Sequence, residues 1–191
     1  MSRRLLGLSW EPMQLGDVEA VPDAREEALR FVSAHYAQIF GHPGEHGAYL
    51  PEGMTPAKAR FLEEMDVFTF RKSGIVVGIS MSHPTDWTSY YFRSFALLPE
   101  ARERGVLPSF LQRCYPLLAA HGVARVEAEC LPTNAAIVRV LGAEGWIPTG
   151  SVASERWGYL VRLTRHLAPE AREAFRQVFA PMPTPIPRRT P

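Results

Sequence analysis

The sequence predicts an α/β fold in which one mixed, mostly antiparallel sheet is covered by helices. Three patterns point to it. Runs rich in β-branched and aromatic residues at 67–71, 74–83 and 90–98 follow one another through short turns, as antiparallel neighbours do. From residue 90 the order becomes strand, helix, strand, a crossover that brings a parallel pair into the same sheet. Strand signals at 146–152 and 157–163 supply a final pair.

Residues 23–40 read as the first helix. Asp23 stands at its N-cap with Glu26 at N3, the arrangement of a capping box, and Ala28, Phe31, Val32, His35 and Ile39 share a face. Gly41-His42-Pro43-Gly44 ends it. Thr55 then caps a short second helix that opens with Pro56, a position where a missing N–H costs nothing. Both helices precede every strong strand signal. The strands at 67–71 and 74–83 meet at Lys72-Ser73-Gly74, and Pro84-Thr85-Asp86 ends the second.

In the strand at 90–98, strict alternation puts Tyr91, Arg93, Phe95 and Leu97 on one face and Tyr90, Phe92, Ser94, Ala96 and Leu98 on the other. A helix over 105–120 follows, stopped at His121-Gly122 with the glycine at C′. The strand at 123–131 turns Val126, Ala128 and Cys130 one way and Arg125, Glu127 and Glu129 the other. Residues 134–143 make a helix closed by Gly145. From Ala180 onward, proline at alternate positions blocks both helix and ladder, so an extended tail is expected; the same composition suits a ligand for a proline-recognising domain.

A chain of 191 residues, 46% of them hydrophobic, can enclose a sizeable core within one domain. Its net charge of +1 is not the broad basic footprint of a nucleic-acid binder. Cys114 and Cys130 fall inside apolar elements and read as packed thiols, which fits a reducing cytoplasm. Arg3-Arg4 before Leu5-Leu6-Gly7-Leu8 looks like the start of a secretory leader, but Trp10-Glu11-Pro12 cuts the apolar run short. No run approaches the roughly 20 apolar residues of a membrane span. His42-Pro43-Gly44-Glu45-His46 lacks ligand spacing, and no metal is expected.

The chemistry concentrates in two segments. Leu97-Leu98-Pro99-Glu100-Ala101-Arg102-Glu103-Arg104-Gly105-Val106 carries a strand end through an Arg/Gly turn into a helix, which aims backbone N–H groups and a helix N-terminus at one spot suited to a pyrophosphate. Glu127-Ala128-Glu129-Cys130-Leu131-Pro132-Thr133-Asn134-Ala135-Ala136 follows, and then Leu141-Gly142-Ala143-Glu144-Gly145-Trp146. In order and spacing these segments resemble the GCN5-related N-acetyltransferase family, chiefly over residues 74–163. The resemblance implies that family's fold, acetyl-CoA or another acyl-CoA as donor, and an amine as acceptor.

The family's turn reads Arg/Gln-x-x-Gly-x-Gly/Ala. Here Arg102, Gly105 and Val106 match, while Leu107 and Pro108 depart from it; Leu107 still has an N–H to give and Pro108 has none. The resemblance marks Leu97, Leu98, Arg102, Arg104, Gly105, Val106 and Leu107 as CoA-binding residues. Arg102 and Arg104 can equally be solvated turn residues. Asn134 either sits beside the pantetheine arm or caps the helix it begins. Trp146 matches an aromatic that packs in the core.

Glu129 is the implied base, since Ala128-Glu129-Cys130 is similar to the Leu-Glu-Val of the ribosomal-protein alanine acetyltransferases. Its structural alternative is an ion pair, with Arg125 as the nearest partner. The family's acid, a tyrosine, is replaced by Leu141, leaving Tyr91, Tyr90 or water to serve the thiolate. Arg93 either grips an acceptor carboxylate or phosphate or pairs with Glu127 or Glu129.

The sequence therefore predicts an acyl-CoA-binding domain over residues 1–168 and a helix with a proline-rich tail over 169–191. The expected activity is direct acetyl transfer to a primary amine, on a small molecule, a peptide N-terminus or a lysine. A longer acyl chain, received by Trp87, Tyr90, Tyr91 and Phe92, is one alternative; an acyl-CoA-binding protein with little turnover and an adaptor recruited through its tail are others. No nucleic-acid or membrane partner is expected, and exposed aromatics such as Trp157 suit a homodimer seam. The segments that would choose the acceptor, 34–53 and 151–157, carry no recognisable code.

Overall fold

The protein is described by a computed structural model over residues 6–40, 55–154 and 157–179. Eight strands form one sheet in the order β1-β2-β3-β4-β5-β6-β8-β7. β1 (Met13–Leu15) and β2 (Val18–Pro22) make an edge hairpin whose Gly16 turns with φ +69°. These strands correct the expectation that both helices come before any strand. They are short, and their alternation is too brief to stand out in the sequence.

The first helix also starts differently. Asp23 has φ +60° and donates its backbone N–H to Val67 O at 2.8 Å, so it ties the exit of β2 to the third strand instead of capping a helix. α1 begins two residues later (Arg25–Phe40). α2 (Pro56–Glu63) keeps Pro56 at its first position. β3 (Asp66–Lys72) and β4 (Ile75–Pro84) join through Ser73 and Gly74, both left-handed, as the primed turn of a tight hairpin demands.

β5 (Ser89–Leu97) pairs antiparallel with β4, but its alternation is broken. Met81 faces Ser94 and Ser82 faces Phe92, which leaves Arg93 as an extra residue in a bulge. The bulge puts Tyr90, Phe92, Phe95 and Leu97 into one core, while Ala96 and Leu98 join the other. A strict period of two, with Tyr91, Arg93, Phe95 and Leu97 sharing a face, is therefore overturned beyond Phe92.

The chain then forms α3 (Val106–Ala120), β6 (Arg125–Cys130), α4 (Ala135–Ala143), β7 (Ile147–Ser154), β8 (Gly158–His166) and α5 (Pro169–Phe179). The sheet has a core on each face. One lies under α3, where Val106, Phe110, Leu111, Cys114 and Leu118 meet Phe68, Phe70, Tyr90 and Val126. The other lies under α1, where Ala28 and Phe31 meet Met65, Val67, Ile79 and Ala96. The His42–His46 segment and the proline-rich tail lie outside the described residues.

At the sheet's centre, fully buried Tyr90 donates its hydroxyl to Asp66 Oδ2 at 2.6 Å and lies 2.9 Å from Ser82 Oγ. Burial, then the Asp66 carboxylate, holds the Tyr90 phenol well above its usual range. Removing the hydroxyl leaves a buried carboxyl short of a donor. Tyr90→Phe is expected to lower stability by about 1–3 kcal/mol, read as a lower urea midpoint at unchanged slope.

Candidate active site

Parallel pairing between β5 and β6 lasts only from Ser89 to Tyr91, against Arg125 to Glu127. Beyond that the strands part, because β5 stays with β4 along its length and β6 stays with β8 from Arg125 to Cys130. A cleft of about 770 Å³ opens between them and passes through the sheet. On the α3 side its walls include Phe92, Leu107, Leu111, Ile137, Leu141 and Trp146; on the α1 side they include Val32, Ile39, Ile79 and Met81.

The turn before α3 borders the first side. Gly105 is left-handed at φ +72°, and a Cβ built there would meet nothing within 4 Å. The N–H groups of residues 103–107 have no acceptor among the described residues. Val106 is buried and Leu107 lines the cleft, so the bulk of Leu107 forms wall without removing its amide.

Three other donor-site expectations change, those for Arg102, Leu98 and Arg104. The Arg102 N–H is taken by Pro99 O at 3.1 Å, and its Nε donates to Leu97 O at 2.9 Å. The Leu98 N–H donates to Val77 O at 2.8 Å while its side chain packs on the α1-side core, so Leu98 presents neither to the cleft. Arg104 donates to Glu100 O and reaches Asp17 Oδ2 at 3.2 Å, which ties the turn to the β1–β2 hairpin. Asn134 combines its two readings: Oδ1 accepts from the Ile137 N–H at 3.3 Å, and the residue lines the cleft.

Tyr91, Arg93 and Glu129 come together on the α1 side. Tyr91 donates its hydroxyl to Glu129 Oε2 at 3.3 Å. Arg162, directly opposite Glu129 in the β6–β8 register, places Nη2 at 2.7 Å and Nε at 3.0 Å from Oε1. The expected partner, Arg125, instead reaches Glu127 at 3.2 Å and Asp86 at 3.5 Å. Sequence reasoning missed Arg162 because β8 joins β6 out of chain order, and only that pairing sets the two side chains opposite each other. The bond to Glu129 raises Arg162 above its ordinary range. Arg93 pairs with neither Glu127 nor Glu129; its guanidinium lies 5.4 Å from the centroid of the Phe61 ring.

Several expected contributors are elsewhere. Tyr90 is sealed in the core and cannot serve a thiolate. Trp87 is 75% exposed, so the aromatic wall for a long acyl chain does not form as drawn. Trp157 lines the cleft and is no exposed seam. Cys114 is buried, and Cys130 borders the cleft with its thiol pushed up by burial. Among the described residues no cluster of His, Cys, Asp or Glu could hold a metal, and no helix is long and apolar enough to cross a membrane.

Two outcomes test this geometry. Gly105→Val is expected to lower stability by about 1–2 kcal/mol through its left-handed backbone alone, measured by urea unfolding. Burial, then the Glu129 charge, pushes the Tyr91 phenol up to about 12, whereas an unfolded tyrosine ionises near 10. Its contribution to stability is thus intact below about pH 10 and lost as pH rises toward 12. Tyr91→Phe should show the shallower alkaline loss in urea titrations across that window.

Known structures share this architecture. An N-acetyltransferase from Staphylococcus aureus Mu50 superposes with a TM-score of 0.60 at 15% identity, over 80% of this chain and 100% of its own. The ribosomal-protein-S5-alanine acetyltransferase from Vibrio fischeri gives 0.59 at 13%, over 84% and 98%. A GNAT family acetyltransferase from Elizabethkingia anophelis with acetyl-CoA bound gives 0.53 at 9%, over 80% and 99%. No family model and no curated protein matches the sequence. The likeness is one of fold, and that fold is the one shared by the GCN5-related N-acetyltransferases.

Proposed function

We propose that the protein is an acyl-CoA-dependent N-acyltransferase that passes acetyl directly from acetyl-CoA to a primary amine. The parted edge of β5 carries the reading. From Phe92 onward the side of β5 facing β6 has no ladder, and its backbone groups look into an apolar cleft that starts at a turn with unclaimed N–H groups. A pantetheine arm, extended and carrying two amides, suits that edge, and the pyrophosphate suits the amides of 103–107. The amine then enters from the α1 side, past Tyr91 and Glu129.

In the reaction the amine nitrogen bonds to the thioester carbonyl carbon, the C–S bond breaks, and the ammonium proton is released. Glu129 is the group to take that proton, directly or through a water. Tyr91 has a narrower part. A phenol held up to about 12 is a far weaker acid than a thiol near 8.5, so Tyr91, on turning its hydroxyl away from Glu129 Oε2, gives the leaving sulfur a hydrogen bond and the proton comes from water. An acyl-CoA-binding protein with little turnover is the second reading, favoured by one observation: both Glu129 oxygens already have partners, Arg162 and Tyr91.

Calorimetry with acetyl-CoA and thiol release with an amine panel separate the two. Transfer is expected, and Glu129→Gln should lower it by roughly a hundredfold with donor affinity unchanged. Donor binding without thiol release from any amine would favour the second reading. Rates compared across acetyl-, butyryl- and octanoyl-CoA fix the chain length.

A further inference from the structure

The two sides of the cleft differ in charge. Among the described residues, Arg93 and Glu129 are the charged ones on its walls. Glu129 is 14% exposed and its charge is met by Arg162 on Oε1; Glu127, on the same strand, is met by Arg125. Arg93 has no such partner: among the described residues no carboxylate lies within ion-pair distance, and its guanidinium rests only on the Phe61 ring. The bulge is the reason. As the extra residue of β5, Arg93 leaves the alternation that buries its neighbours, and its side chain is exposed beside the α1 end of the cleft. The cleft wall near it includes the apolar side chains of Val32, Ile39, Met81 and Trp157 together with Tyr36, Tyr91 and Ser94.

Resting on the transferase reading, we propose that the acceptor is an amine with an apolar body and an anionic group, which Arg93 grips. The planar guanidinium offers paired donors that match the geometry of a carboxylate or a phosphate. The amine of the same molecule faces Glu129 while its apolar body lies against α1. A polyamine is disfavoured, since Arg162 already meets the charge of Glu129 and the Arg93 guanidinium repels a further cation. A small polar amino acid would leave the apolar wall uncovered.

Product analogues test this without turnover. N-acetyl-L-leucine, its amide, its aminophosphonate analogue and N-acetylglycine would each be titrated calorimetrically into the full chain saturated with CoA. N-acetyl-L-leucine should bind about tenfold or more tightly than the amide and more tightly than N-acetylglycine. Arg93→Met should abolish the acid–amide difference with CoA affinity unchanged, and Arg93→Lys should restore part of it. The phosphonate arm decides between carboxylate and phosphate. Equal binding of acid and amide, no binding of either, or a preference that survives Arg93→Met overturns the proposal. An acid preference in a protein that releases no thiol from acetyl-CoA would instead leave this site standing and sink the transferase reading; thiol release with leucine and leucinamide at equal rates would do the reverse.

Discussion

The early end of the β5–β6 ladder is the constraint on which the site depends. Each strand holds its outer partner along most of its length, β5 with β4 and β6 with β8, so the right-handed twist of the sheet separates them once their own pairing stops at Tyr91 and Glu127. A gap inside a sheet exposes backbone groups that must find partners. Here the gap is walled by apolar side chains from both cores, which makes it a cleft instead of a point of failure.

What holds the last paired residues in place is buried and polar. Tyr90 pairs with Val126 across the β5–β6 ladder, and its hydroxyl is fixed by Asp66 and Ser82 from β3 and β4. That cluster joins three strands at the place where the sheet begins to open. Its neighbour Tyr91 points to the opposite face and reaches Glu129. One residue therefore anchors the sheet, and the next reaches into the cleft.

Electrostatics on the α1 side follow from register. Arg162 meets Glu129, and Arg125 meets Glu127 and Asp86, whereas Arg93, displaced by the bulge, has no carboxylate among the described residues within ion-pair distance. Two guanidinium donors of Arg162 hold Glu129 Oε1, and Oε2 accepts from the Tyr91 hydroxyl.

By itself the sequence determined the α/β class, α2 through α4 and the later strands, because these rest on local rules, periodicity and caps, and it left Asn134 open between a cap and a cleft residue. Tyr91, Glu129, Leu107 and Asn134 were singled out through the resemblance to a known family, and all four line the cleft. The tertiary structure decided the rest. Strand order placed Arg162 on Glu129, the bulge set Arg93 outside the alternation, and Asp23 took a left-handed turn against Val67 instead of capping α1. Each depends on a partner distant in the chain, and pairing between distant strands is fixed by packing the whole sheet, which no window of sequence contains.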